Sequence, residues 1–274
     1  MSFFADYADK LVFLVCAAMI FVPLEHLLPR VRRSGLLREN MSLDVVYALG
    51  GWIAITALSA LYIGAAVHAF DPLIPDGAKA FVGTMPIWLQ VIVLILLGDF
   101  YYYWAHRLFH TVPFLWNFHA VHHSIEHMDW IAAYRTHPVD TAITNSGVVI
   151  LALLFDFSAA AFAIYVFQFS WHSLLKHSNI KVGWGPLRWI YLTPAYHHWH
   201  HANEVEAYDR NFAGQLPVWD LLFGTANMKE KESPAKYGVD DPVPVTILGS
   251  LFYPLWRGMP DRERAAGAAQ SIAD

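Results

Sequence analysis

The chain has 274 residues, 56% of them hydrophobic and 15% charged, with a mean hydropathy of +0.35. That balance excludes an ordinary soluble enzyme, while the length admits one large domain or two small ones. A net charge of −5 without a basic stripe gives no reason to invoke nucleic acid, and the single cysteine, Cys16, excludes a disulfide framework.

In chain order, the N-terminal MSFFADYADK lacks the basic stretch that precedes a cleaved signal, so the apolar run at residues 11–28 is expected as a retained helix carrying Cys16 as a small apolar residue. Runs follow at 43–69 and 87–105, each about as long as the 17–25 residues that span a bilayer. The connection between the first two carries Arg30, Arg32, Arg33 and Arg38, whereas the next carries Asp71 and Asp76 against Lys79. Short cytoplasmic loops are enriched in Lys and Arg, so the first loop is expected inside, the second outside, and the third helix ends inside. His26 and His68, near helix ends, read as interfacial. Tyr101, Tyr102, Tyr103 and Trp104 read first as an aromatic belt and second as a substrate lining. A fourth run, 139–171, is interrupted near Asp156 and Ser158, which predicts a hairpin of two shorter helices, re-entrant or spanning. The stretch 245–256 reads as interfacial or packed, and the tail from Arg262 as polar. The expected fold is all-α: a polytopic membrane protein with about four to five membrane helices or half-helices and a cytosolic helical cap that carries most of the histidines. The divisions are residues 1–86, 87–226 and 227–274.

Thirteen of the fifteen histidines fall between His106 and His201. His106-x-x-x-His110 puts two imidazoles on one helix face. His119-x-x-His122-His123 and His197-x-x-His200-His201 repeat the arrangement with three each. A lone HxxxH arises often by chance; two HxxHH boxes beside it do not. One metal takes about three or four protein ligands, so the eight histidines of the boxes suit two metals better than one. Imidazole alone does not choose between iron, copper, nickel and zinc. No Glu-x-x-His occurs, unlike the carboxylate-bridged soluble bundles. HExxH is missing, which weighs against a zinc hydrolase. The boxes lie beyond the predicted spans, which weighs against a transporter.

HRLFH with Asp99 upstream, HAVHHSIEHMDWIAAYRTHPVD, KHSNI, TPAYHHWHH and DRNFAGQLPVWDLLFGT together resemble the fatty acid hydroxylase superfamily, in its sterol desaturase and alkylglycerol-monooxygenase-like branch, over roughly residues 90–226. The resemblance implies a membrane-embedded di-iron enzyme that hydroxylates, or sometimes desaturates, a lipid C–H bond with O2 and two externally supplied electrons. It assigns His106, His110, His119, His122, His123, His177, His197, His200 and His201 as ligands of two iron ions, with His137 as a further one. Asp99 is expected to accept the outer N–H of a ligand imidazole. Arg135 is expected to pair with a carboxylate such as Asp129, and Asp209 and Asn211 to support the third box. His127 is read as solvent-facing in preference to a ligand, and His172 and His198 as either ligands or supporting residues. His137-Pro138 is not followed by glycines and no GxGxxG is present, so electrons are expected from a separate donor, ferredoxin or cytochrome b5 with an NAD(P)H reductase. Sterol, fatty acyl chain, ether lipid, ornithine lipid and carotenoid all qualify as substrate.

Overall fold

The computed structural model describes residues 3–33, 35, 37–229 and 231–257; the expected polar tail lies outside them. Among the described residues the protein is helical, with isolated bridges in place of strands. Helices α1 (Phe3–Leu27), α2 (Met41–Val46) and α3 (Trp52–Phe70) form the N-terminal part, and a π-helical turn, Tyr47–Gly51, joins α2 to α3. Short α4 (Asp76–Thr84) leads to α5 (Ile87–Thr111), α6 (Pro113–His123), α7 (Pro138–Leu154) and α8 (Ala159–His177). Two short helices, α9 (Pro194–His200) and α10 (Val218–Leu222), precede α11 (Ile247–Trp256).

Three helical stretches are long and apolar enough to cross a membrane: Tyr7–Leu27, Met41–Leu73 and Ile87–Thr111. α3 is apolar throughout and has no buried residue, although it packs along α7. α7 and α11 are shorter and apolar. The expected hairpin is present: α7 ends at Leu154, Asp156 takes a left-handed φ of 53°, and the Ser158 side chain accepts a hydrogen bond from Ala161 N to start α8. The chain thereby returns to the end it left. α7 rides directly on α5, because a Cβ at Gly147 would fall 2.0 Å from the Tyr101 ring. The 245–256 stretch is a packed helix: α11 lies on α6, and Ser250 Oγ meets Tyr47 OH at 2.7 Å.

The histidine-bearing helices start where proline permits it. α6, α7 and α9 each have Pro at the first position, where its missing N–H costs nothing and its fixed φ favours a helix. Thr193 caps α9 by accepting from Tyr196 N. The boxes are thus set at defined ends of short, well-started helices.

Candidate metal centre

α5, α6, α8 and α9 deliver nine buried histidines to one place. They fall into two adjoining groups, His106, His110, His119, His123 and His200, and His122, His177, His197 and His201; within each, the facing atoms all lie within 4.8 Å of one another. His123 and His201 stack at 4.5 Å between ring centroids, so the groups share a wall.

The outer nitrogens establish what the inner ones can do. His106 Nδ1 donates to the Phe212 carbonyl (2.7 Å), His119 Nδ1 to Asp140 Oδ2 (2.7 Å), and His200 Nδ1 to the Arg210 carbonyl (2.8 Å). In the second group His122 Nδ1 donates to the Arg135 carbonyl (2.9 Å) and His177 Nδ1 to the Ser173 carbonyl (2.7 Å). A neutral imidazole that donates from Nδ1 keeps a bare lone pair on Nε2. Yet His106 and His119 bring their Nε2 atoms to 2.9 Å, and His122 and His177 to 3.2 Å. Two lone pairs at that distance repel unless a cation lies between their directions, so the donor set fits a bound metal. Burial and the neighbouring imidazoles push His123, His197, His200 and His201 far below the usual histidine range, and burial brings His122 down to about 3. Neutral nitrogen ligands are therefore available across the physiological range.

Two carboxylates hold the loop that braces the first group. Asp99 accepts from the backbone N–H groups of Gly214 (2.9 Å), Gln215 (2.8 Å) and Leu216 (2.8 Å). Asp220 accepts from those of Phe212 and Ala213, both at 2.8 Å. Five consecutive N–H groups are thus clamped, and the same loop presents the Phe212 and Arg210 carbonyls to His106 and His200. Gly214 is required by proximity, since a Cβ there would stand 2.8 Å from Asp99 Oδ1. The expectation that Asp99 contacts a ligand imidazole is corrected: it acts one step removed, through the loop. Buried Lys176 adds a 3.2 Å bond to the Gly214 carbonyl and lies over the Tyr102 ring at 5.2 Å.

Arg135 is also corrected. Its guanidinium pairs with Asp44 of α2 and donates to the Ser124 and Asn40 carbonyls, while Asp129 receives Arg38 instead, at 2.5 and 2.7 Å. Arg38 also meets Asp44 at 2.5 Å. This buried chain of charges ties α2 to the segment whose carbonyl orients His122.

His137 lies outside both groups. Its Nδ1 accepts from Val139 N (3.1 Å), capping α7, and its Nε2 donates to the Leu251 carbonyl (3.0 Å), so both nitrogens are already used. Asn211 is fully buried and donates to the Tyr196 and Asn227 carbonyls at 2.9 Å, tying the residue before the third box to the following loop. Asp209 is 58% exposed, with Oδ1 3.6 Å from His110 Nδ1. His172 donates to the Leu192 carbonyl; His198, brought down to about 3 by burial, lies between Ser178 O and Tyr237 OH. Both support rather than join the groups, and His127 is half-buried beyond them. His26 and His68 are exposed at helix ends. Of the four aromatics at 101–104, only Trp104 is exposed; Tyr102 packs edge-on to His106 at 5.3 Å and faces a cavity. Asp140 and Asp220 were given no role in the sequence reading; the one available signal was a carboxylate inside an otherwise apolar or box-bearing segment.

A cavity of about 750 Å³ is lined by residues of α1, α3, α7 and α8 and by His119, His122 and His177. Phe13, Leu14 and Ile55 form an apolar part of its wall.

Residues 91–225 match the family model for fatty acid hydroxylase. That region of the chain belongs to the fatty acid hydroxylase family. It resembles ornithine lipid hydroxylase OlsE of Rhizobium tropici, with 28% identity over 221 residues that cover 78% of this chain and 66% of that protein. It also resembles alkylglycerol monooxygenase of Xenopus tropicalis (35% over 152 residues, 55% of this chain and 33% of that protein). A putative methylsterol monooxygenase of Dictyostelium discoideum is 28% identical over 166 residues, 58% of this chain and 61% of that protein. The chain thus spans just under two thirds of the first relative and about a third of the second. No solved structure matches it.

Proposed function

We propose that this member of the fatty acid hydroxylase family is an O2-dependent lipid hydroxylase with two irons, one in each histidine group. The observation that carries the reading is the pair of adjoining, buried imidazole groups, three of whose histidines line a cavity in a chain with three membrane-length helices. The first group would be held by His106, His110, His119, His123 and His200, the second by His122, His177, His197 and His201. The bound irons would supply O2 activation and C–H oxidation. In balance, one oxygen atom enters the C–H bond as a hydroxyl and the other leaves as water, with two electrons and two protons consumed.

The chain's own task is to bury nine imidazoles away from bulk water and to fix the Nε2 atoms of five of them inward through Nδ1 bonds. Asp140 and the Phe212, Arg210, Arg135 and Ser173 carbonyls set the tautomers. A substrate in the cavity lies against Tyr102 and Phe169, beside His119, His122 and His177. The electrons come from a separate donor, ferredoxin or cytochrome b5 with an NAD(P)H reductase. Arg30, Arg32, Arg33 and Arg38 follow α1, and Arg33 and Arg38 reach Met128 and Asp129 just beyond the second box, which supports a cytoplasmic orientation of the metals. The relatives' names, ornithine lipid hydroxylase, alkylglycerol monooxygenase and methylsterol monooxygenase, support a membrane lipid as substrate.

The test is Mössbauer spectroscopy and metal analysis on protein purified in detergent from iron-57-supplemented cells, beside a His122→Ala, His200→Ala variant. About two irons per chain with a coupled signal absent from the variant is the expected result; zinc as the native metal, with no oxidised product after iron loading, would overturn it.

A further inference from the structure

α10 is built inside out. Its one acid, Asp220, is fully buried and accepts from Phe212 N and Ala213 N, whereas Val218, Leu221 and Leu222 are exposed, Leu222 at 66%. A helix on a water-facing surface presents the opposite arrangement. The segment tied to it has the same character. A single 3-10 helical turn, Gly185–Trp189, and the residue after it expose Leu187, Trp189 and Ile190, the last at 64%, while Leu192 is buried. Leu192 N donates to the Gln215 carbonyl at 2.8 Å, and Leu192 shares one core with Phe212, Trp219 and Phe223. Single exposed apolar side chains are ordinary on any protein; what decides here is the inversion of α10 and the level at which it sits.

That level follows from α5, which is long and apolar enough to cross a membrane. Trp219 packs on Phe100 at 4.9 Å between ring centroids and Phe223 on Trp104 at 5.0 Å, while the 214–216 backbone hangs on Asp99. α5 ends at Thr111, eleven residues beyond Phe100 and seven beyond Trp104. At 1.5 Å per residue, α10 meets the helix roughly 10–16 Å inside its end. His106 and His110 stand between that level and the end. Leu97, Phe100, Trp104 and Leu108, at helical spacing, are exposed on α5 and continue the apolar surface of α10. Near the turn, the Arg188 guanidinium lies over the Trp189 ring at 5.4 Å, and Lys181 is exposed. Tryptophan with cations whose stems run along apolar surface is the composition of a headgroup layer.

We infer that α10 and the 187–190 turn form a rim seated in the bilayer, their apolar side chains in the boundary between headgroups and acyl chains and Arg188 at its polar edge. An in-plane element of this kind sinks about 5–10 Å into that boundary. The occupant is lipid rather than a soluble partner, because the patch continues the exposed apolar side of a spanning helix and lies on the membrane side of His106 and His110. The first histidine group then stands at headgroup level, and Asp220 holds its bracing loop from an element that rests in lipid. Part of the expected cytosolic cap is thereby inside the leaflet.

The test places single cysteines in a Cys16→Ala background: Leu222→Cys and Ile190→Cys in the rim, Leu61→Cys on the exposed side of α3 as the hydrocarbon reference, and Lys236→Cys as the water reference. The full chain, spin-labelled at each, is reconstituted in vesicles of phosphatidylcholine and phosphatidylglycerol. Relaxation by oxygen, which concentrates in lipid, is compared with relaxation by a water-soluble nickel chelate. Labels at 222 and 190 are expected to lose nickel accessibility relative to 236 and to gain oxygen accessibility toward that at 61. Leu221→Cys and Leu187→Cys repeat the reading should either first label disturb the fold. Nickel access at the rim equal to that at 236 overturns the proposal. Protection from both reagents also overturns it, and spin–spin broadening that disappears on dilution with unlabelled protein would assign the patch to a second copy of the chain. No turnover is read, so failure of the rim leaves the hydroxylase reading intact, and failure of that reading leaves the rim intact.

Discussion

The two histidine groups are built from the same residue type but braced differently. In the first, His106 and His200 lean on one loop, and that loop hangs on Asp99 and Asp220 through five backbone N–H groups; His119 leans on Asp140. In the second, His177 bonds to a carbonyl of its own helix and His122 to the Arg135 carbonyl, while the buried Nδ1 atoms of His197 and His201 have no hydrogen-bond partner among the described residues. One group is thus preorganised by long-range carboxylate contacts, the other by local helix structure and a charge chain to α2. The lesson is that equal ligand chemistry can rest on separable supports, and separate damage should follow.

The largest effects come from the ligands themselves. His200→Ala and His122→Ala should each remove about one iron per chain and lower turnover by more than ~100-fold, beyond the 10–100-fold typical of supporting residues. Metal analysis of each single variant decides it; loss of both irons from either one would mean the groups are not separable.

Acid should strike both groups together. His122, His123, His197, His200 and His201 titrate below their unfolded value near 6.5. As pH falls through that value the unfolded chain takes up protons that the folded one refuses, so stability is present above about 6.5 and declines toward about 3, the folded value of His122. Each imidazole contributes a slope of up to about 1.4 kcal/mol per pH unit. Chemical unfolding of the metal-free protein between pH 7 and 5 should show it, with iron release following the same direction; a flat profile would contradict neutral buried ligands.

The supports can then be damaged one at a time. Arg135→Leu strands Asp44 with Arg38 alone and should cost about 3–5 kcal/mol, with iron loss concentrated in the second group. Asp99→Asn replaces an acceptor of three N–H groups by an amide with one oxygen. It should weaken iron in the first group about 10–100-fold and spare the second. Spectroscopic assignment of the surviving iron in the two variants separates them; the same iron lost in both would collapse the distinction drawn above.

The legibility of the sequence follows the same division. Eight of the nine gathered histidines were readable because helical spacing puts i, i+3 and i+4 on one face, whereas His177 stands outside the boxes and came only with the family resemblance; the hairpin was readable because Asp156 and Ser158 interrupt an apolar run. The long helices were readable from run length alone. What failed was partner choice. Arg135 was matched to Asp129, six residues away, but takes Asp44, ninety-one residues away. Asp99 was matched to an imidazole, but binds backbone N–H groups, which every residue but proline offers and which composition cannot distinguish. His137 came as a further ligand with the resemblance, yet spends both nitrogens on a helix cap and a carbonyl. Tertiary hydrogen bonds of this kind depend on the fold already being formed.

Asp209 tests how far this reasoning extends. It stands beside the first group, but its Oδ1 is 3.6 Å from His110 Nδ1 and the side chain is 58% exposed. That separation is too long for a hydrogen bond, and water screens the charge. Its left-handed φ of 53° is one that asparagine adopts as readily, so Asp209→Asn keeps the backbone and removes only the charge. The expected change is within about 0.5 kcal/mol in stability and ~3-fold in iron affinity. Iron titration against Asp99→Asn measures it directly. A loss as large as that of Asp99→Asn would mean that the exposed carboxylate also braces His110, and that the first group has a support on its solvent side.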